Sequence, residues 1–149
     1  MKKRSILLVL LVFLVSLLSF ASGVNNVIFF IGDGMGANHM LLASYLEGYE
    51  LTMMKAPYTG YALTYSADSN VTDSAAAGTA LATGYKTNNG MIGILPNGEI
   101  VSTISEVLAK EGYKTGIIAT SRITHATPAS YYGHVLDRDD EDKLAEQLV

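Results

Sequence analysis

Apolar and polar residues alternate along this chain in blocks that predict strands and helices in turn. Unbroken apolar runs predict buried strands at residues 27–31 and within residues 114–120. Gly32 ends the first of these runs. Further strand regions are predicted at residues 58–65 and, between two turn signals, at residues 91–95. Strands that alternate with helices predict an α/β fold with a mainly parallel central sheet and flanking helices.

Five helices are predicted, at residues 38–47, 73–83 and 104–111, from Pro128 onward, and within residues 139–149. Thr103 and Glu106 form the capping-box pattern for the third helix, and Gly112 supplies its stop. Pro128 suits the first position of a helix, where its missing N–H costs nothing. Because no strand follows the last helix, we expect residues 22–149 to be the N-terminal part of a larger α/β domain whose sheet is incomplete in this chain.

The first 21 residues have the pattern of a secretory signal peptide. Three basic residues at 2–4 precede an apolar run at residues 6–15, and Ser19-Phe20-Ala21 gives a small-x-small cleavage site after Ala21. Ala21-Ser22-Gly23 is a second possible cleavage site, and a retained N-terminal membrane anchor is the alternative. Cleavage would give an exported protein, periplasmic or extracellular, with no stable membrane span.

Composition excludes several functional classes. The formal charge of the chain is −4, and removal of residues 1–21, with three basic and no acidic groups, changes it to −7. After this removal the chain is acidic and has no run of Lys or Arg, and it contains no nucleic-acid-binding motif. The absence of cysteine from the sequence excludes disulfides, thiolate metal sites and a cysteine nucleophile. An anionic substrate remains compatible, since one arginine and bound cations can reverse the local field.

A glycine-rich turn places Asp33 directly after the first predicted strand, where ligands bind in open α/β sheets. A carboxylate at that edge, with no basic neighbour in sequence, favours a hard divalent cation. The spacing Gly32, Gly34, Ala37 also matches a dinucleotide fingerprint. The fingerprint is disfavoured because Asp33 would repel the pyrophosphate and because no strand pattern precedes Glu50, the acidic residue at the required distance.

Three further positions carry candidate chemistry. Ser74, with Asp73 beside it, lies at the start of an alanine-rich helix, where an anion is stabilised; an ordinary helix cap is the alternative. His125 and Thr127 leave the fourth predicted strand and could face one site if the loop turns, although a backbone-bonded histidine and a threonine cap explain them equally. Arg138 could hold two phosphate oxygens, or could form a surface salt bridge with a neighbouring aspartate.

In this order, these motifs resemble one family. Residues 30–36, residues 72–80, and residues 125–129 leading to Arg138 are similar to the N-terminal third of the alkaline phosphatases, and the resemblance runs from about residue 25 to Arg138. It implies hydrolysis of small phosphate monoesters through a phosphoserine. Ser74 would be the nucleophile, and Asp73 would orient Arg138, which would bind the phosphate.

The resemblance also implies a metal centre with two zinc ions and a third ion, usually magnesium. Asp33 would bridge one zinc and the third site, Ser74 would ligate zinc, and Thr127 would ligate magnesium. His125 stands where relatives carry either Asp or His, and this histidine leaves zinc or cobalt as alternatives to magnesium. The family takes further zinc ligands from its C-terminal half, so we expect this chain alone to be inactive.

Two other functions stay open beside the monoesterase. One is a phosphodiesterase or sulfatase on the same scaffold, although Asp73-Ser74-Ala75 and Arg138 favour the monoesterase. The other is a catalytically inactive truncated fragment that at most complements a second chain. The resemblance further implies that the full-length protein can form a homodimer.

Overall fold

The computed structural model describes residues 26–148, in two units divided after Gly32. The predicted signal peptide at residues 1–21 lies outside the described residues. The described part of the N-terminal unit, residues 26–32, contains no helix and no strand, so the strand predicted at residues 27–31 is not formed. All helices described below belong to the second unit.

The second unit contains five α-helices and one 3-10 helix in its described part. They are α1 (Ala37–Glu47), the 3-10 helix (Thr52–Lys55), α2 (Ser74–Thr83), α3 (Ile104–Lys110), α4 (Ala126–Ala129) and α5 (Glu141–Gln147). The predictions of α1, α2 and α3 are confirmed to within one residue at each end, and α5 lies inside its predicted range. The 3-10 helix was not predicted. Pro128 is the third residue of α4, because the helix already begins after His125, so its placement at the first position was wrong.

The predicted sheet is not confirmed. Within residues 33–148 the only β-pairs are two isolated antiparallel bridges, Ile92 with Val135 and Ile94 with Ile100. The first half of each bridge falls in the strand predicted at residues 91–95, whereas residues 58–65 and 114–120 form no strand. A strand needs the backbone of a neighbour to pair its N–H and C=O groups, and an apolar run alone does not supply one.

The core of the second unit joins α2, α4 and α5. Its buried members are Ala75, Ile92, Ala126, Ala129, Val135 and Leu144. Helices α2 and α4 approach so closely that a Cβ atom on Gly78 would lie 2.5 Å from Ser130 Oγ. The same Cβ atom would lie 3.7 Å from Thr127 Cα, so the absence of a side chain at Gly78 lets α4, which carries Thr127, pack against α2, which carries Ser74.

The predicted capping box of α3 is confirmed. Thr103 Oγ1 accepts a hydrogen bond from Glu106 N at 3.2 Å, and Thr103 N donates to Glu106 Oε2 at 2.7 Å. The fully buried Thr103 hydroxyl also donates to Tyr131 O at 2.9 Å, which links α3 to the segment after α4. Among the described helices, none has the length and apolar character needed to cross a membrane.

Candidate active site

Two side chains from distant parts of the sequence, those of Ser74 and Thr127, meet at Asp33. Ser74 Oγ donates a hydrogen bond to both carboxylate oxygens of Asp33, at 3.1 and 3.2 Å. Thr127 Oγ1 donates to Asp33 Oδ2 at 2.6 Å, across 94 positions of sequence. Gly34, with a φ of +66°, makes the turn after Asp33. The two hydroxyl groups therefore converge on a single carboxylate.

This donor set fits a hard divalent cation. Carboxylate and hydroxyl oxygens are the ligand chemistry that magnesium and similar ions prefer, and zinc also accepts carboxylate oxygen. Across residues 26–148, no group of three or more His, Cys, Asp or Glu side chains is arranged to hold a metal ion. Asp33, Ser74 and Thr127 thus provide one oxygen-rich set of donors, with a single anionic member.

Ser74 is the first residue of α2, and Asp73 is the cap. Asp73 Oδ1 accepts a hydrogen bond from Ala76 N at 2.9 Å, which satisfies one of the free N–H groups of the first turn. Because Asp73 performs the capping, the hydroxyl of Ser74 is free to contact Asp33. The cap interpretation of this motif therefore holds for Asp73 and not for Ser74.

Arg138 pairs with Asp73. Its Nη1 donates to Asp73 Oδ2 at 3.2 Å, and the side chains of Arg138 and Asp73 are 23% and 26% exposed. Gly90 N donates to the same oxygen at 3.0 Å. This partly buried ion pair joins residues 65 positions apart. It differs from the alternative considered for Arg138, a surface salt bridge with an aspartate next to it in sequence. A guanidinium group has five N–H donors, so this contact leaves others for an anion.

His125 lies apart from these hydrogen bonds. It is the N-cap residue of α4, and in the described part of the chain its ring makes no hydrogen bond. The pKa of nearby Glu141 falls to about 2, chiefly because Arg122 donates to its carboxylate; Thr124 also donates to it, and His125 makes only a minor electrostatic contribution. The structure thus brings Asp33, Ser74 and Thr127 together, and pairs Asp73 with Arg138, but does not bond His125 to either group.

Sequence reasoning missed two contacts around the site. Arg122 forms a two-pronged pair with Glu141, with Nε–Oε2 and Nη2–Oε1 distances of 2.9 and 2.6 Å. Asn89 lies in the turn signal that precedes the strand predicted at residues 91–95, and its side chain forms hydrogen bonds with the backbone of Val71 and Asp73. Neither contact has a local signal, because the partners are 16 or more positions apart.

Comparison with known proteins explains why these residues occur in this order. The family model for alkaline phosphatase matches residues 24–148. This chain belongs to the alkaline phosphatase family. The chain is 42% identical over 135 residues to alkaline phosphatase 4 of Bacillus subtilis, covering 85% of this chain and 29% of that protein. It is also 42% identical over 140 residues to alkaline phosphatase 4 of Drosophila melanogaster, covering 83% of this chain and 24% of that protein.

Solved alkaline phosphatases share the backbone arrangement. A His-to-Asp mutant of the TAB5 enzyme with Mg bound in the M3 site has a TM-score of 0.77 and 37% identity, over 79% of this chain and 34% of that chain. The cold-active enzyme of Shewanella sp. has a TM-score of 0.74 and 36% identity, over 79% and 32%. These matches are consistent with the alkaline phosphatase fold, and this chain spans only about a quarter to a third of its relatives.

Proposed function

We propose that the full-length protein hydrolyses small phosphate monoesters and that Ser74 is the nucleophile, forming a phosphoserine intermediate. The position of the Ser74 hydroxyl carries this proposal: it lies at the N-terminal end of α2, 3.1 and 3.2 Å from the two oxygens of Asp33. Free N–H groups and the helix dipole at this end favour a phosphate group bonded to Ser74.

The residues of the chain divide into binding and positioning roles. The Ser74 O–H points at the Asp33 carboxylate, which directs the hydroxyl proton away from an incoming phosphorus atom and leaves an oxygen lone pair to attack it. Arg138, oriented by its contact with Asp73, offers its remaining N–H donors to the phosphate oxygens. The phosphoryl group would pass from the ester oxygen to Ser74, with loss of the serine proton and departure of the alcohol, and then to water, which would release inorganic phosphate and return a proton to Ser74.

Asp33, Ser74 and Thr127 would hold part of a centre with two zinc ions and a third ion. When bound, the cations would stabilise the deprotonated serine oxygen and the charge on the transferred group. Magnesium is the usual third ion in the family, as the resemblance implies, whereas a histidine at position 125 makes zinc or cobalt alternatives. The supporting observation is the convergence of carboxylate and hydroxyl oxygens on one point.

The wider biological setting follows from the same proposal. The pattern at residues 1–21 supports export to the periplasm or the extracellular space, and residues 22–149 would form the N-terminal part of the domain. The full-length protein would act on small-molecule substrates and form a homodimer. Residues 22–149 alone would be inactive, because the remaining zinc ligands come from the C-terminal half in this family.

Labelled phosphate tests the role of Ser74. In the full-length protein, Ser74→Ala should abolish incorporation of labelled phosphate from an aryl phosphate, since no hydroxyl remains to accept it. Ser121→Ala is the matched control, because the exposed Ser121 hydroxyl contacts only a backbone carbonyl within the described residues. Undiminished labelling of the Ser74→Ala variant would refute the proposal. Comparison of aryl phosphate with bis-aryl phosphate and aryl sulfate would identify a phosphodiesterase or a sulfatase instead.

A further inference from the structure

We propose that Asn89 is a positioning residue for phosphate recognition: with Gly90 it holds the backbone before Ser74 and the backbone of Arg138 in one fixed frame. This inference rests on the proposed function, because it deepens the roles given there to Asp73 and Arg138. The side-chain hydrogen bonds of Asn89 among the described residues reach neither Ser74 nor Arg138, so its effect would pass through residues 71 and 73.

The side chain of Asn89 bonds the segment that leads into α2. Its Oδ1 accepts a hydrogen bond from Asp73 N at 3.0 Å, and its Nδ2 donates to Val71 O at 2.9 Å. The side-chain amide of Asn89 thereby bonds one backbone N–H and one backbone C=O of the same segment, as the backbone of a neighbouring strand would do. These bonds fix the direction in which the chain enters the helix that begins with Ser74.

The backbone of Asn89 is itself anchored. Its N–H donates to Asp68 Oδ1 at 2.9 Å, and this bond, together with one from Ser66, lowers the pKa of the Asp68 carboxyl. Asp68 therefore stays ionised and remains an acceptor at neutral pH. The backbone N–H of Asn89 is thus bonded to Asp68, while the side chain of Asn89 is bonded to the backbone of residues 71 and 73.

Gly90 connects the same turn to the arginine. Its N–H donates to Asp73 Oδ2 at 3.0 Å, and its carbonyl accepts a hydrogen bond from Arg138 N at 2.8 Å. Arg138 Nη1 donates to that same Asp73 oxygen. Asp73, Gly90 and Arg138 thus form a closed ring of contacts that ties the backbone of Arg138 to the carboxylate orienting its side chain.

The contacts of Asn89 and Gly90 matter because the ion pair between Asp73 and Arg138 alone would hold the arginine side chain weakly. Partly exposed ion pairs are screened by solvent and cost side-chain entropy to order. A guanidinium group that is ordered before phosphate arrives loses less freedom on binding, and this loss is a main cost of affinity. Without the two bonds of Asn89, residues 71–73 would be held to this turn only through the Asp73 carboxylate, so Asp73 would shift more easily and would orient Arg138 less firmly.

The first test compares two neighbouring asparagines in the full-length protein with its metal ions bound. Asn89→Ala should raise the inhibition constant for inorganic phosphate about tenfold, which corresponds to 1.4 kcal/mol. Asn88→Ala is the matched control, since the Asn88 side chain makes no hydrogen bond among the described residues, and it should leave the constant unchanged. KM for an aryl phosphate should rise with the inhibition constant, and the thermal midpoint reports any general loss of stability.

A double-mutant comparison separates positioning from a merely structural role. In an Arg138→Ala background, adding Asn89→Ala should no longer weaken phosphate binding, because the residue through which Asn89 acts is gone. A tenfold weakening in both backgrounds would overturn the inference, as would an unchanged inhibition constant in Asn89→Ala alone. If Asn89→Ala does not fold, Asn89→Ser removes the same two bonds while keeping a residue that suits turns.

The outcome for Arg138→Ala distinguishes the two proposals. If this variant binds phosphate as tightly as the unaltered protein, the phosphate-binding role of Arg138 is wrong, and the inference about Asn89 falls with it. If Arg138→Ala weakens binding while Asn89→Ala does not, the proposed function stands and only the positioning role is refuted.

Discussion

Gly78 provides a test of how helix packing builds the site. It lies in α2, one turn after Ser74, against the end of α4. A Cβ atom at this position would lie 2.5 Å from Ser130 Oγ, 2.9 Å from Ser130 Cβ and 3.7 Å from Thr127 Cα. Gly78→Ala therefore adds one methyl group between the helices that carry Ser74 and Thr127.

The magnitude follows from two opposing effects. The added carbon comes roughly 1 Å closer to Ser130 than an ordinary contact allows, and overpacking of this kind typically costs about 1–3 kcal/mol. Alanine recovers about 1 kcal/mol of helix propensity relative to glycine. We expect a net loss of up to about 2 kcal/mol in unfolding free energy. A shift of α4 by roughly 1 Å would also lengthen the Thr127–Asp33 contact, and misplacement on that scale can cost about a hundredfold in rate.

The assay is the thermal midpoint and kcat of the full-length protein for an aryl phosphate, with Gly78→Ala measured beside Gly116→Ala. Gly116 has open space around its Cα and no positive φ, so its substitution should change neither quantity. Ser130→Gly removes the atoms that the new methyl group meets, and combining it with Gly78→Ala should restore part of the lost activity. An unchanged midpoint and kcat in Gly78→Ala would refute the packing argument.

Two further variants test contacts around α3 and α5. Glu141→Gln removes a carboxyl whose pKa of about 2 lies below its usual 4.5, chiefly because Arg122 donates to it. The stability that this ionised carboxylate contributes is present above pH 4.5 and is lost as the pH falls toward 2. The thermal midpoint of the variant should therefore drop less across this pH range than that of the unaltered protein. An equal drop in both proteins would contradict the pairing. Thr103→Ala removes a buried cap and should lower the unfolding free energy by about 1–2 kcal/mol in urea titrations. Ser102→Ala, at an exposed neighbour, should be neutral, and equal effects would contradict the cap.

The helices were predictable because their signals are local. Thr103 and Glu106 are three positions apart, and their capping box forms within a single turn. Gly84 ends α2 in the left-handed conformation that favours glycine. The strands were not predictable in the same way, because an apolar run specifies burial and leaves the pairing partner to distant residues. Among the described residues of the predicted strands, only Ile92 and Ile94 form β-bridges, with Val135 and Ile100.

The candidate site was assembled through resemblance more than through pattern. Local reasoning singled out Asp33, Ser74 and Thr127 separately, but no spacing rule joins residues that are 41 and 94 positions apart. Their shared family order connected them, and the structure places their oxygens in contact. Asn89 and Glu141 escaped both approaches, since a turn asparagine and a first-turn glutamate are explained adequately by local structure.

The two interpretations of the Asp73-Ser74 motif proved compatible once individual atoms were assigned. Asp73 Oδ1 caps α2, while Oδ2 of the same carboxylate receives Arg138 and Gly90. A serine cap would have had its oxygen occupied by the helix, so the aspartate cap is what leaves Ser74 Oγ free for Asp33. The feature that begins the helix thus also aligns the arginine, and helix formation and the proposed phosphate site depend on a single side chain. Asp73→Asn would therefore keep an Oδ1 acceptor for the cap while weakening the charge-assisted contact with Arg138.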